Sequence, residues 1–233
     1  MAIREATSSK TKPARLKMSY EEYLQWADES TITEWVNGEI IIHMPPKDTH
    51  QTAAGFLFRL LTLFVDLLDL GKVIIAPFEV KLWPDGPSRE PDILFIAKEN
   101  LERLTDDRLT GPPDLIIEIV SKDSVSRDRR DKFKEYAQTG VPEYWIIDPR
   151  PTQRRTDFYA LNEQGHYDHF ATQADERIES RVLPGFWLKP NWLWQADTAS
   201  PLALLFEMRG ISSEQANQIQ QLLRTGSVEN GED

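Results

Sequence analysis

Two carboxylates stand among residues that leave them little access to water. In Pro91-Asp92-Ile93-Leu94-Phe95-Ile96, strand alternation puts Asp92 on one face with Leu94 and Ile96. In Asp114-Leu115-Ile116-Ile117-Glu118-Ile119-Val120, Glu118 shares its face with Ile116 and Val120. An apolar run of this kind is buried on both faces of its sheet, and an unpaired charge left there is strongly unfavourable. Each acid therefore needs a cation, a metal ion or a proton. A structural salt bridge would satisfy either one alone. Two of them on consecutive strands of one sheet point to a shared site that handles charge.

A third element follows at once. Ser126-Arg127-Asp128-Arg129-Arg130-Asp131-Lys132-Phe133-Lys134-Glu135-Tyr136-Ala137 reads as a helix, in which Asp128, Lys132 and Tyr136 fall at i, i+4 and i+8 on one face. Phe133, Tyr136 and Ala137 make the apolar side that packs on the sheet, so Lys132 lies at its edge and can reach inward. Arg130 and Lys134 point toward solvent. Arg127, Arg129, Arg130, Lys132 and Lys134 place five cations within eight residues, enough to hold a phosphate backbone locally or simply to form a solvated face balanced by Asp128 and Asp131.

The elements that must position these groups can be read in order. Ser19 caps a short helix carrying Glu21 and Glu22, with Tyr23, Leu24 and Trp26 on its apolar side. Asn37-Gly38 between Thr31–Val36 and Glu39–His43 predicts a β-hairpin. From Asp48 to Leu70 the pattern is helical, with Arg59, Thr62, Asp66 and Asp69 as one polar stripe and most of the remaining surface apolar; Gly71 stops it. Strands are expected over Lys72–Leu82, Pro91–Ala97 and Asp114–Ser121. The helix ending at Thr139 and Gly140 leads into a strand at Glu143–Asp148. A further β region, Thr156–Ala171, turns at Asn162–Gly165, and Arg177–Val182 reads as one more strand. Trp187, Trp192 and Trp194 are expected to pack this C-terminal extension. Helices at Ala199–Met208 and Ser213–Arg224 close the chain. The order is helix, three strands, helix, strand, with a hairpin before and a β extension after: an α/β or α+β fold with a mixed sheet. We divide it as a tail (1–17), one domain (18–196), a helical appendage (197–224) and a second tail (225–233).

Composition narrows the function classes. The 233 residues hold 27 Lys and Arg against 38 Asp and Glu, a net charge of −11. That balance argues against a protein living by broad contact with DNA, though not against an enzyme with a local basic patch. The absence of cysteine excludes disulfides, thiol nucleophiles and Cys-ligated zinc or iron–sulfur centres. No charged start with a following apolar run marks a secretory signal, so a cytoplasmic protein is expected. Gly55–Leu70 is interrupted by Arg59, Asp66 and Asp69 and reads as a core helix rather than a bilayer span, so no membrane association is expected. His166 and His169 fall on opposite strand faces and make a poor metal pair; His43 serves the hairpin.

Four ordered strings carry a family resemblance. They are Glu90-Pro91-Asp92-Ile93, Pro113-Asp114-Leu115-Ile116-Ile117-Glu118-Ile119-Val120-Ser121, the Arg127-Asp128…Lys132…Tyr136-Ala137 helix, and Gly140-Val141-Pro142-Glu143-Tyr144-Trp145-Ile146-Ile147-Asp148-Pro149. Together they resemble the Uma family of restriction-endonuclease-like proteins, abundant in cyanobacteria and other bacteria, over roughly Tyr20 to Trp194. The resemblance implies the PD-(D/E)XK nuclease core and a Mg²⁺- or Mn²⁺-dependent phosphodiesterase acting on nucleic acid, DNA in the first instance. It implies Asp92 and Glu118 as catalytic metal ligands, hard oxygens suited to those ions. The standard motif has a lysine two residues after the acid. Val120 occupies that position here, and Lys132 matches the lysine that Uma-type patterns carry in the next helix. Glu79 matches a weaker acidic ligand position and Glu39 a weaker one still, while His50 matches a family position of unassigned role. Nucleases of this fold often dimerise, so a homodimer is within the expectation. The rival reading is a catalytically silent binding or assembly module that keeps the fold. A Lys132 ammonium within about 4 Å of Glu118 would separate the two in favour of the enzyme.

Overall fold

The computed structural model describes residues 16–27, 32–43 and 48–226. The two expected tails lie outside the described residues except at their inner ends. In chain order the strands are β1 (Leu16–Lys17), β2 (Thr33–Val36), β3 (Glu39–Ile42), β4 (Gly71–Ile75), β5 (Glu79–Lys81), β6 (Ser88–Arg89), β7 (Ile93–Ala97), β8 (Arg108–Thr110), β9 (Leu115–Ile119), β10 (Glu143–Asp148), β11 (Arg155–Leu161), β12 (Tyr167–Thr172), β13 (Ile178–Glu179) and β14 (Trp187–Leu188). The helices are α1 (Tyr20–Trp26), α2 (Asp48–Leu68), α3 (Lys132–Thr139), α4 (Pro190–Leu193), α5 (Pro201–Met208) and α6 (Ser213–Thr225).

The main sheet runs β12-β11-β10-β9-β7-β4. Only β9 and β10 are parallel, and α3 makes the crossover between them. The expected order of helix, three strands, helix, strand is therefore borne out as α2, β4, β7, β9, α3, β10. Alternation along the central strands divides the core in two. Ile93, Phe95, Leu115, Ile117 and Ile119 face α2, whose Phe56, Leu57, Leu60, Leu61, Phe64 and Val65 cover them. Leu94, Ile96, Ile116, Val120 and Ile146 face the other way, toward Tyr136 and Tyr144. Length and apolar character alone would let α2 cross a membrane, yet its apolar stripe is the roof of this core. Its apolar surface exceeds what the core takes up, and Leu67 is 61% exposed.

The hairpin belongs to a second sheet, ordered β1-β3-β2-β6-β5-β8. Asn37 and Gly38 both have positive φ, 51° and 81°, the turn whose twist matches the strands it joins. The expected strand Lys72–Leu82 is in fact two. Pro77 has no N–H to continue a ladder, and the chain leaves the main sheet after Ile75 to enter the second one at Glu79. Gly71 begins β4 with φ 149°, where a Cβ would stand 2.0 Å from the Ile96 carbonyl oxygen, so only glycine fits.

Three differences concern the ends. Leu16 and Lys17, read as tail, pair with Ile40 and Glu39. The expected strand at Arg177–Val182 shrinks to β13, paired with β14 across the Pro184-Gly185 turn. The C-terminal helices part company: Leu205 and Met208 of α5 enter the core against α2, whereas α6 buries no residue. Trp187 and Trp192 pack this region as expected, both buried with ring centroids 5.2 Å apart.

Candidate active site

Strands β7 and β9 pair with Ile93 opposite Ile117. Continuing that antiparallel register by one residue sets Asp92 opposite Glu118, at the sheet end where β7 begins. Asp92 Oδ2 accepts the Ile119 N–H at 2.7 Å, and its Oδ1 lies 3.3 Å from Nε2 of His50, in the first turn of α2. Glu118 is 3% exposed. Its Oε1 accepts from Lys132 Nζ at 2.7 Å and from the Tyr136 hydroxyl at 2.8 Å. The lysine therefore reaches the acid well inside the 4 Å expected of it. Lys132 does not pair at the surface with Asp128: it is 2% exposed, and Asp128 Oδ1 stands 4.0 Å away.

A local irregularity brings these groups inward together. Residues Arg127–Asp131 form a π-helical turn ahead of α3, in which the Lys132 N–H donates to the Arg127 carbonyl five residues back. Such widened turns recur at functional sites. Asp128, Lys132 and Tyr136 are all buried on the face predicted for them, and Arg130 and Lys134 are exposed.

The second sheet contributes a residue that sequence reading did not single out. Glu34 of β2 is fully buried and accepts from Lys132 Nζ at 2.9 Å and from Arg89 Nη1 at 3.0 Å. His43 Nε2 lies 3.2 Å away and Arg127 Nε 3.9 Å. Arg89 also forms a two-pronged pair with Glu135 of α3. Lys132 thus hangs between a carboxylate of the main sheet and one of the hairpin. The alternation that marks Asp92 would have marked Glu34 too, between Ile32 and Val36, but the Asn-Gly turn dominates the reading of that segment.

These groups enclose a cavity of about 90 Å³ lined in part by Asp92, Glu118, Lys132, Asp128, Glu90 and His50. Burial alone would raise the Glu34 carboxyl, but Lys132 and Arg89 hold it well below the usual range. At Glu118 burial prevails over the pull of Lys132, and the carboxyl is pushed up to about 8. Burial likewise pushes Glu90 up to about 8 and raises Asp128 against the attraction of Lys132. Lys132 itself is raised, because Glu118 and Glu34 outweigh the burial that would lower it. His50 is raised by Asp92 despite its burial.

The other candidates stand apart. Glu79 lies in the second sheet, where it accepts from Tyr20 Oη at 2.5 Å and Ser88 Oγ at 2.7 Å and pairs with Arg108. It does not line the cavity. Glu39 is at the hairpin, 3.9 Å from Lys17. His169 pairs with Asp157. Of the five clustered cations, Arg129 is also committed, to Asp157 at 2.6 Å. Among the described residues, no three Asp, Glu or His side chains converge as a preformed metal cage. The donors at the cavity are nevertheless hard carboxylate oxygens of the kind that suits Mg²⁺ or Mn²⁺, and two of its acids, Glu90 and Asp128, have buried oxygens with no hydrogen-bond partner.

Comparison with known proteins agrees with this architecture. The model of the Uma2 family, described as "Putative restriction endonuclease", matches residues 20–191. "Uncharacterized protein slr1290" of Synechocystis sp. (strain ATCC 27184 / PCC 6803 / Kazusa) is 27% identical over 170 residues, 72% of this chain and 86% of its own length. A crystal structure described as "a putative nuclease belonging to DUF820", from Anabaena variabilis ATCC 29413, superposes with a TM-score of 0.63 at 17% identity. The match covers 77% of this chain and 98% of that one, a likeness of fold.

Proposed function

The chain belongs to the Uma2 family, and on that premise we propose that it is a divalent-cation-dependent endonuclease hydrolysing phosphodiester bonds at the Asp92–Glu118–Lys132 cavity. One observation carries this reading. Lys132 arrives from a different element than the motif lysine would, yet its Nζ stands 2.7 Å from Glu118 Oε1, in a cavity that Asp92 also lines.

Asp92 and Glu118 would hold the cation, Mg²⁺ or Mn²⁺, which when bound supplies Lewis-acid activation of the phosphoryl group and of the attacking water. The chain's own residues supply the rest. The Ile119 N–H fixes the orientation of Asp92, and the Tyr136 hydroxyl fixes Glu118. Lys132, raised in pKa by its two carboxylates, stays protonated. It therefore serves by placing positive charge where the phosphoryl oxygens gather negative charge, not by abstracting a proton. Arg130 and Lys134, exposed on the outer side of the same helix, are suited to contact the backbone of the nucleic acid. We take the substrate to be DNA, met in the cytoplasm. We take the active form to be a homodimer paired along β12, the outermost strand of the main sheet.

The test is cleavage of plasmid, single-stranded DNA and RNA with Mg²⁺ or Mn²⁺, with EDTA and purified Asp92→Asn protein in parallel. Cleavage abolished by both controls supports the assignment, and cleavage that survives Asp92→Asn refutes it. Metal binding without cleavage of any substrate would move the weight to a silent nuclease-fold module.

A further inference from the structure

A second cavity opens at the same end of the main sheet, and nothing above gives it a task. Of the first residues of α2, His50, Gln51 and Ala54 line the catalytic cavity, whereas Asp48, Thr49, Thr52 and Ala53 line a hollow of about 190 Å³. At about 3.6 residues per turn the two sets project in opposite directions, so the start of α2 is the wall between the cavities. Pro149, Pro151, Arg154 and Trp194 complete the hollow. Strands β9 and β10 are parallel neighbours, which brings the segment after β10 to the sheet end where Ile119 holds Asp92.

Two side chains of the hollow differ from their counterparts elsewhere. Arg129 and Arg155 are bound to Asp157, and Arg150 to Asp148. Arg154 is exposed and forms no ion pair or hydrogen bond among the described residues; its guanidinium lies over the Trp194 ring, 5.7 Å from the centroid. Trp187 and Trp192 are buried, but Trp194 packs against the core while staying half-exposed. An indole face and a guanidinium plane are the surfaces on which unpaired bases stack. The charge of the hollow distinguishes a base from a phosphate. Asp48 and Asp197 outnumber Arg154, which disfavours an anion, whereas carboxylates accept hydrogen bonds from the amino groups of base edges. Its volume lies below the roughly 300–1,000 Å³ of a pocket that engulfs a drug-sized molecule, and so suits one ring system.

We propose that this hollow holds one unpaired base of the substrate strand beside the scissile bond, stacked on Trp194 and covered by Arg154. The strand it names rests on the nuclease reading, which it deepens. A base paired inside a duplex cannot enter such a hollow, so the strand is single or locally opened next to the cut. Arg154 has no anchor among the described residues, which leaves it free to swing outward and close over the base.

The test reads binding of the full chain to end-labelled oligonucleotides by fluorescence anisotropy, in EDTA so that no cation-dependent cleavage intervenes. Wild type, Arg154→Ala, Arg154→Lys, Trp194→Leu and Arg177→Ala are compared on single-stranded and duplex DNA of one sequence. A single abasic position is then walked along the single strand. Arg177 is the control, since it also lies over a tryptophan, 4.4 Å from the Trp187 centroid, but pairs with Glu179 and lines neither cavity. The expected result is tighter binding of the single strand than of the duplex. Affinity should fall about tenfold or more in Arg154→Ala and Trp194→Leu, less in Arg154→Lys, which keeps the charge but not the plane, and not in Arg177→Ala. The abasic position should cost affinity at one place in the strand, and that cost should vanish in Trp194→Leu. Wild-type affinity in Arg154→Ala, equal losses in Arg154→Ala and Arg177→Ala, a preference for duplex, or an abasic position harmless everywhere each overturns the inference. Cation-dependent cleavage by the wild type would then leave the nuclease reading standing. A position-specific abasic effect without cleavage of any strand keeps the inference and defeats the nuclease reading instead. No nucleic acid bound by the wild type overturns both.

Discussion

Replacing Glu34 by Gln tests whether the hairpin is part of the catalytic unit or merely rests on it. The substitution keeps the shape and removes one charge from a fully buried position, so no cavity forms and the effect is electrostatic. Glu34 accepts from Lys132 at 2.9 Å and from Arg89 at 3.0 Å. Removing one partner of a buried pair costs on the order of 3–5 kcal/mol. Both cations keep a second acceptor, Glu118 for Lys132 and Glu135 for Arg89, and the Gln carbonyl still accepts one hydrogen bond. The lower end, about 3 kcal/mol, is therefore expected at pH 7. The pH dependence follows from the depressed carboxyl. A group held below its unfolded value contributes stability that is present above that value and lost as pH falls through the folded one. The deficit of Glu34→Gln should thus be largest near neutrality and shrink below about pH 4.5. Urea unfolding of both proteins at pH 7, 5 and 3.5 measures it, and cleavage should fall because Lys132 loses one of its two holders. Equal stability at pH 7, or a deficit that does not change with pH, would refute the reasoning.

Four other outcomes are expected. In EDTA, Glu118 and Glu90 bind protons in the folded state up to about pH 8 but release them near 4.5 when unfolded. Stability should therefore fall as pH rises from about 5 to 8, by a few kcal/mol, and a flat urea-midpoint profile would reject those shifts. Tyr136→Phe removes the hydroxyl that donates to Glu118; a loss of about 1 kcal/mol in urea unfolding with weaker cleavage is expected, and unchanged activity would deny Tyr136 its positioning role. Deleting residues 213–233 should leave the melting temperature nearly unchanged, because no residue of α6 is fully buried. Leu205→Ala in α5 should cost about 3 kcal/mol, and the reverse pattern would mean that α6, not α5, belongs to the core.

Much of this site is legible in the sequence because it rests on short periodicities. Asp92 and Glu118 betray themselves by standing in apolar strands, and Asp128, Lys132 and Tyr136 by helical spacing; the structure puts all five around one cavity or its wall. The parts that are not legible depend on contacts between segments far apart in the chain. Glu34 alternates with Ile32 and Val36, but the partners that hold it, Lys132 and Arg89, come from distant segments, and no local pattern states that. Glu79 looks like a ligand from its position along the chain, but the break at Ala76–Phe78 turns β5 into the other sheet, where Tyr20, Ser88 and Arg108 claim it. The difference between the two C-terminal helices has a similar cause. Leu205 and Met208 find a partner in α2, whereas no residue of α6 is fully buried.

The position of the lysine follows from the same geometry. Val120 occupies the strand position where the motif lysine belongs, and it is 1% exposed within the apolar cluster beneath Tyr136 and Tyr144. A lysine there would have to carry its ammonium out of that cluster to reach the acids. Lys132 approaches from the helix that covers the same face, and its stem passes through the wall while its head meets Glu118. Supplying the charge from the helix has a structural consequence. An ammonium at the end of a flexible four-carbon stem is fixed only by what grips it. Here the grip is Glu34, itself gripped by Arg89, which is in turn tied back to Glu135 on the lysine's own helix. That closed chain of buried charges links hairpin, helix and sheet. It explains why a segment outside the six-element core carries a fully buried acid.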